Sequence, residues 1–195
     1  MSDELPWLNF PALDYLKKNL RPEFKVFEYG GGGSTLFFCK NVAKTFTVEH
    51  DPNWFEVLKV AVRKKGYQNW EGELIVPDKG KANMNLSPAQ PDDFVSNSKE
   101  FRAMRFETYA RYIKKYPKEF FDVVVVDGRS RPACIKQALS HIKSGGILVV
   151  DNTERPYYLS NLRNTITKNF RTELETYAPV AYTPNFTQTT IFRRI

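Results

Sequence analysis

Residues 24–34 read Phe-Lys-Val-Phe-Glu-Tyr-Gly-Gly-Gly-Gly-Ser, and this stretch decides the fold that we expect. An apolar run ends in Glu28 and continues into the four glycines 30–33. Because glycine has no Cβ, a ligand can approach the backbone closely and positive φ angles cost little. A helix that begins at Ser34 would point its free N–H groups and the positive end of its dipole at that ligand. The stretch therefore predicts a strand, a ligand-binding glycine loop and a helix.

A second strand is predicted at 45–49, and it ends in Glu49. A carboxylate roughly 20 residues beyond such glycines is placed to accept hydrogen bonds from ribose hydroxyls. A dinucleotide fingerprint would require glycine or alanine at its sixth position, where this chain has Thr35. Glu28 precedes the first glycine by two residues, where a carboxylate would repel a pyrophosphate but attract an ammonium group. Both observations favour a ligand with an adenosine and a charged amino-acid tail over a nicotinamide dinucleotide.

Strands alternate with helices along the rest of the chain, which is typical of an α/β protein with an open parallel sheet covered on both faces. The predicted strands are 25–29, 45–49, 72–76, 121–126, 147–150, 174–181 and 188–193. The predicted helices are 10–20, 34–41, 52–65, 99–116, 132–143 and 156–170. We expect the aromatic side chains of the helix at 99–116 to belong to the core.

Residues 77–98 interrupt this alternation. The stretch carries Pro77, Gly80, Pro88 and Pro91 among polar residues. A long irregular segment inside a compact domain is usually a functional loop. We therefore expect a single domain over residues 1–195, in which residues 77–116 form a cap over the substrate.

Acidic residues stand at the carboxyl ends of four predicted strands: Glu28, Glu49, Asp127 and Asp151. In open parallel sheets, ligands bind outside these strand ends, at the point where the strand order reverses. The four carboxylates therefore predict an active site at this edge of the sheet.

Composition limits the class of protein. With 195 residues, 42% of them hydrophobic and 26% charged, the chain suits one globular domain with its own core. No run approaches the ~20 apolar residues of a membrane helix, and the acidic N-terminus lacks the apolar core of a signal peptide. We expect Cys39 and Cys134 to be buried free thiols, in keeping with a reducing cytoplasm. The net charge of +7 is spread over short runs, which favours a solvated basic surface over a nucleic-acid interface.

The chain resembles the class I S-adenosylmethionine (SAM) dependent methyltransferases over nearly its whole length. The resemblance rests on Glu28-x-Gly30-x-Gly32, on Glu49, on the Lys-Ser-Gly-Gly turn at 143–146 and on the hairpin-like C-terminus. It implies a Rossmann-like, doubly wound sheet of seven strands, the last inserted antiparallel, after an N-terminal helix. It also implies SAM as cofactor, in contact with Glu28, Gly30, Gly31, Gly32, Ser34, Thr35, Glu49, His50, Asp78 and Asp127.

Two residues are candidates for catalysis. Methyl transfer from a sulfonium is an in-line displacement, so the nucleophile must be aligned and deprotonated. Asp127 is the candidate base, or else it accepts the ammonium group of SAM. Arg129 is a candidate to hold an anionic acceptor such as a carboxylate, a uronate or a phosphate.

A metal mechanism remains an alternative at the same edge of the sheet. Metal-dependent catechol-type O-methyltransferases place an Asp after strand four and an Asp-Asn pair after strand five, and this chain has Asp127, Asp151 and Asn152 there. Oxygen ligands of this kind suit Mg²⁺, although Asp151 and Asn152 could instead cap the following helix. The lysine that those enzymes carry shortly after the first Asp is missing, so we favour a mechanism without metal.

The function that we expect is O-methylation of a small molecule or a sugar. The Asn/Asp-Pro-Pro-aromatic tetrad of amino-methylating nucleic-acid enzymes is absent, because residues 127–130 read Asp-Gly-Arg-Ser. The alternatives are an RNA or protein methyltransferase that uses the positive charge, and a non-catalytic module that binds SAM or a nucleotide. The sequence alone does not name the acceptor, because the fold fixes the cofactor whereas the loops fix the substrate.

Overall fold

A computed structural model describes residues 4–79, 85–101, 104–181 and 184–195. The strands are β1 Lys25–Tyr29, β2 Lys44–Glu49, β3 Trp70–Leu74, β4 Phe121–Val126, β5 Ile142–Val150, β6 Phe170–Pro179 and β7 Phe186–Arg194. The α-helices are α1 Phe10–Asn19, α2 Gly33–Asn41, α3 Pro52–Lys65, α4 Glu107–Arg111, α5 Arg131–Ala138 and α6 Arg163–Ile166. Short 3-10 turns lie at Lys99–Phe101, Tyr112–Lys115, Leu139–His141 and Pro156–Tyr158.

The strands form one seven-stranded sheet in the order β3-β2-β1-β4-β5-β7-β6. Strands β1 to β5 run parallel to one another, whereas β7 is inserted antiparallel between β5 and β6. This confirms the Rossmann-like sheet with its last strand antiparallel. The strand order reverses between β1 and β4, which is where such sheets bind ligands.

Alternate residues of the central strands face opposite layers of the core. In β4, Val124 and Val126 pack into one apolar cluster, whereas Val123 and Val125 pack into the cluster on the other face. All four valines are at most 1% exposed, which explains why the sequence of β4 is continuously apolar. Cys39 and Cys134 are free and buried, as expected. None of the helices in the described residues combines the length and the apolar character that a membrane crossing requires.

Local signals set the ends of α3 as predicted. The Asp51 carboxylate accepts hydrogen bonds from the backbone N–H groups of Asn53 (2.8 Å) and Trp54 (3.0 Å), and Pro52 occupies the first turn. Gly66 ends the helix in the left-handed conformation with φ of +76°. The start of α3 is thus fixed beside the end of β2.

The predicted helix at 99–116 is wrong. After the turn at Lys99–Phe101, Arg105 makes isolated bridges with both Asp78 and Val95, and the Phe106 N–H donates to the Phe94 carbonyl at 2.7 Å. These long-range pairings take the backbone groups that a continuous helix would need, so helical structure begins at α4. The aromatic residues nevertheless pack in the core, as expected: Tyr109 is completely buried.

Two further helices are shorter than predicted. The helix predicted at 132–143 ends as α5 at Ala138, and β5 begins at Ile142, so the Ser-Gly-Gly segment 144–146 belongs to an irregular part of β5. The predicted helix at 156–170 is replaced by a 3-10 turn and the single-turn α6. β6 then starts at Phe170, four residues before the predicted boundary.

Candidate active site

A cavity of about 400 Å³ opens at the carboxyl ends of β1, β2 and β4. It is lined by residues 30–34, 49–51 and 127–129, together with Trp7, Trp54 and Arg131. Of the predicted site residues, it brings together Gly30, Gly31, Gly32, Ser34, Glu49, His50, Asp127 and Arg129. Of the four strand-end carboxylates named by the sequence, Glu49 and Asp127 line this cavity at the reversal of strand order, whereas Glu28 and Asp151 are buried beside it.

Two glycine turns cross at the floor of this cavity. Gly30 has φ of +88°, and a Cβ on it would lie only 2.9 Å from the Cα of Gly128. A Cβ on Gly128 would lie 3.0 Å from the carbonyl carbon and oxygen of Tyr29 and would collide with the Tyr109 hydroxyl. The turns after β1 and β4 therefore pack backbone against backbone, and only glycine fits at either position.

Hydrogen bonds hold the rest of the glycine loop in shape. The Gly31 N–H donates to Glu49 Oε2 at 3.1 Å, and the Gly31 carbonyl accepts from Trp54 Nε1 at 2.7 Å. The Gly32 N–H donates to Thr35 Oγ1 at 3.1 Å, so Thr35 supports the loop from inside the fold and does not line the cavity. Gly32 itself has free space beside it, because the nearest atom to a Cβ there would be Trp54 Cζ2 at 3.8 Å.

Glu49 is held as a carboxylate at the end of β2. Its Oε1 accepts from the backbone N–H groups of His50 (2.7 Å) and Asp51 (2.9 Å) and lies 2.6 Å from His50 Nδ1. Burial acts to raise the pKa of Glu49, but the His50 side chain and the backbone donors outweigh it, so the pKa lies below its ordinary value. Glu49 is therefore ionised at neutral pH.

The His50 ring connects Glu49 to Arg129. While its Nδ1 faces the carboxylate, its Nε2 accepts a hydrogen bond from Arg129 Nε at 3.1 Å. The Arg129 guanidinium also lies over the ring of Phe101, 5.1 Å from the ring centre. The side chain of Arg129 is thus positioned by the His50 and Phe101 rings.

Arg131, which the sequence analysis did not select, is the central polar residue of this edge. It is 7% exposed, and its guanidinium donates to the carbonyls of Gly128 (3.0 Å), Asp127 (2.9 Å) and Asp151. It also pairs with Asp127 Oδ1 at 2.8 Å. One buried side chain therefore fixes the ends of both β4 and β5. Its spacing of four residues from Asp127 was the signal for this contact in the sequence.

The carboxyl groups of Asp127 and Asp151 have pKa values that are shifted toward their neutral forms. Burial, with the negative charge of Asp127 added, raises the pKa of Asp151 to about 7, and its Oδ1 accepts from the Thr189 hydroxyl at 2.7 Å. Burial also raises the pKa of Asp127, although Arg131 opposes the shift. A carboxyl group poised in this way can take up a proton near neutral pH.

A second cavity, of about 510 Å³, adjoins the first. Residues 128–132 form one of its walls, and the others are formed by residues 95–98 with Pro88, Arg155, Tyr157 and Tyr158. Gly128, Arg129 and Arg131 line both cavities, so a group in one cavity can reach a group in the other. Part of the segment that was predicted as a cap, residues 77–116, thus does contribute to a wall beside the site.

Comparisons with known proteins were made for sequence and for structure. No protein-family model matches the chain, and no curated protein matches its sequence significantly. Among solved structures, a Streptococcus mutans protein named as a methyltransferase and crystallised with SAH matches at a TM-score of 0.63 and 13% identity, over 93% of this chain and 94% of its own. An rRNA methylase from Streptococcus thermophilus matches at a TM-score of 0.62 and 12% identity, over 93% of each chain.

A third match is fibrillarin from Aeropyrum pernix with natively bound SAM, at a TM-score of 0.56 and 12% identity, over 88% of this chain and 67% of its own. The chain has the Rossmann-like methyltransferase fold. At these identities the likeness concerns the fold, so the roles of individual residues rest on the geometry of this chain.

Besides Thr35, two more predicted cofactor residues lie outside both cavities of this methyltransferase fold. Glu28 is completely buried under the glycine loop, where its Oε2 accepts from the Thr47 hydroxyl at 2.9 Å. Asp78 caps α4, since its carboxylate accepts from the N–H of Glu107 at 2.6 Å, and it does not line the cavity. The structure therefore gives both residues structural contacts in place of the predicted contact with a ligand.

Two of the three proposed metal ligands, Asp127 and Asp151, already have partners in this fold. Arg131 occupies Asp127 Oδ1, and Thr189 donates to Asp151 Oδ1. The described part of the chain contains no group of three or more His, Cys, Asp or Glu side chains that could hold a metal ion. A guanidinium already supplies positive charge between these strand ends, so the residues present do not fit a metal site.

Burial of Glu28 predicts a pH-dependent stability. Complete burial raises its pKa to about 7 from 4.5, against the effect of the Ser34, Thr35 and Thr47 side chains. Between about pH 4.5 and about pH 7, the Glu28 carboxyl group is therefore protonated in the folded protein but ionised in the unfolded chain. As the pH rises across this range, the free energy of unfolding falls by up to about 3 kcal/mol.

Replacing Glu28 by Gln removes this titration. We expect chemical denaturation of Glu28→Gln, measured at several values between about pH 5 and about pH 8, to show a smaller fall in unfolding free energy than the wild type. The exposed Glu56→Gln serves as control and keeps the wild-type slope. An equal slope in the Glu28 variant would contradict the assignment.

Proposed function

We propose that this protein is a SAM-dependent methyltransferase. The observation that carries the proposal is the single cavity at the reversal of strand order, in which a glycine loop faces the carboxylates of Glu49 and Asp127. Two of the structures that share the fold contain SAM or SAH. The ionised Glu49 suits the ribose hydroxyls, and the glycine loop admits a ligand close to its backbone.

Three residues at this edge of the sheet have separate proposed roles in the reaction. Bound SAM would supply a methyl group on a sulfonium. The side chain of Asp127 is 34% exposed and lines the first cavity, where it either accepts the ammonium group of the cofactor or removes the proton of the acceptor. Arg131 fixes the orientation of the Asp127 carboxylate, and Arg129 faces the acceptor side.

We propose O-methylation of a small molecule or saccharide, which the second cavity, with its defined walls, supports. RNA methylation is a second candidate, supported by the net charge of +7 and by the rRNA methylase with the same fold. RNA binding that weakens steeply with salt, together with methyl transfer to RNA, would favour the second candidate. SAM binding without turnover on any acceptor would indicate a non-catalytic module.

Calorimetric titration with SAM, SAH and NADH tests the cofactor. We expect SAM and SAH to bind and NADH not to bind, because Thr35 stands where a dinucleotide motif requires glycine or alanine. Binding of NADH without binding of SAM would contradict the proposal. Release of SAH across pools of candidate acceptors would then identify the substrate class.

Glu49→Ala should weaken SAH binding by about 1–3 kcal/mol, the cost of losing a charged hydrogen bond. The variant also loses the acceptor of the Gly31 N–H, so the glycine loop becomes less well positioned. Calorimetry measures the affinity, and circular dichroism checks the fold. Glu56→Ala on the outer face of α3 is the control and should bind normally. Unchanged affinity in a folded Glu49→Ala protein would remove Glu49 from the site.

A further inference from the structure

The second cavity concentrates positive charge beside the cavity in which we propose that the cofactor binds. Three arginines, Arg129, Arg131 and Arg155, line it, and no Asp or Glu of the described residues does. Placing like charges around one cavity is unfavourable unless an anion joins them. The arrangement therefore points to a ligand with negative charge.

The three arginines differ in how far their charge is neutralised. Arg131 has Asp127 at 2.8 Å, and Arg155 has Glu154 at the longer distance of 3.7 Å. No carboxylate of the described residues forms an ion pair with Arg129, whose Nε donates to His50 Nε2 at 3.1 Å. The positive charge of Arg129 thus remains available to a ligand.

An aromatic ring holds the other two guanidinium groups in place. Arg131 and Arg155 both lie over the ring of Tyr158, at 5.1 Å and 5.9 Å from its centre. Arg155 Nη1 also donates to the Tyr158 hydroxyl at 3.1 Å. Tyr158 is 8% exposed, so this wall is built before any ligand binds.

The backbone supports the same arrangement. Ser130, between Arg129 and Arg131, has φ of +49°, in the left-handed region that non-glycine residues rarely occupy. This turn directs the preceding arginine toward His50 and the following one into the buried network. Strained residues persist where the surrounding structure enforces them, and they cluster at functional sites.

We propose that the second cavity binds an oxyanion, a carboxylate or a phosphate, carried by the methyl acceptor, with Arg129 and Arg155 as its ligands. The inference rests on the proposed function and adds the charge of the substrate to it. Planar guanidinium groups bind such oxyanions with two parallel hydrogen bonds, which a lysine cannot do. The oxyanion can belong to an acidic sugar or to an RNA backbone, and the experiment separates the two.

The test uses the full chain saturated with SAH and measures binding by calorimetry. The probes are glucose, glucuronate, glucose 6-phosphate and a short RNA. We expect at least one of the charged probes to bind about tenfold more tightly than glucose, and Arg129→Gln or Arg155→Gln to remove that preference. Arg171→Gln, an exposed arginine on β6, is the matched control and should preserve it.

The outcomes separate the inference from the proposed function. Binding of the acidic sugars that depends on Arg129 and Arg155 supports a small acceptor, and RNA binding with the same dependence supports a phosphate of RNA. If SAH binds but no charged probe binds better than glucose, or if Arg129→Gln and Arg155→Gln bind like the wild type, the inference is wrong. If SAH itself does not bind, the proposed function is wrong, and the inference that rests on it is wrong as well.

Discussion

Gly32→Val should abolish binding of SAM and SAH while the fold remains intact. Gly32 has φ of 173°, an extended conformation that valine adopts readily, and a Cβ there would meet no atom closer than 3.8 Å. The branched side chain would therefore project into the cavity and occupy the space of the ligand. We expect a loss of affinity of about 100-fold or more, which calorimetry would record as no detectable heat.

Gly30→Val is the contrasting variant. Its Cβ would lie 2.9 Å from the Gly128 Cα, at a φ that valine avoids, so we expect the protein itself to be destabilised. Thermal denaturation should show a lowered midpoint for the Gly30 variant and a nearly unchanged one for the Gly32 variant. Normal SAH affinity in Gly32→Val would show that the glycine loop does not touch the ligand.

Asp127→Asn should reduce turnover by about 10²- to 10⁴-fold, the usual effect of removing a general base. If Asp127 instead holds the ammonium group of the cofactor, the loss will appear mainly as weaker SAM binding. The measurement is SAH release, with saturation curves for SAM, on the acceptor that the wild type methylates. Because Arg131 loses its charged partner, the stability of the variant must be measured in parallel.

Two comparisons make this result decisive. Asp122→Asn changes a carboxylate at the opposite end of β4, where it pairs with Lys143 at 2.7 Å, and should leave turnover nearly unchanged. A chelator should not affect the wild type, because Arg131 already occupies the Asp127 carboxylate. Turnover that a chelator stops and Mg²⁺ restores would support the metal mechanism. A fully active Asp127→Asn enzyme would contradict both roles.

The strand ends were predictable from sequence because buried parallel strands are short apolar runs that end in polar residues. Glu49, Asp127 and the glycine loop follow such runs directly, and all three line the cavity. The ends of α3 were also predictable, since Asp51 and Gly66 are local signals that need no distant partner.

Features that depend on distant contacts were not predictable. Arg105 pairs with Asp78 and Val95, and this contact between separate segments overrides the helical spacing of the aromatic residues after it. The spacing of Arg131 from Asp127 hinted at their ion pair, but its carbonyl partners carry no trace in the sequence, so its contact with both strand ends was not predictable. Glu28 was predicted to contact the ligand because it is acidic and precedes the first glycine of the loop by two residues, but in the fold its side chain is completely buried.

The contact between Gly30 and Gly128 has a thermodynamic consequence. The turn after β1 borders the first cavity and the turn after β4 borders both, and neither can shift without displacing the other, since their backbones touch. A ligand that orders one turn also restricts the other, so a second ligand loses less conformational entropy when it binds. Such coupling between two ligands is reciprocal. We therefore expect cofactor and acceptor to bind cooperatively. The acceptor should bind more tightly to protein that already holds the cofactor. SAH should dissociate more readily after the methylated product has dissociated.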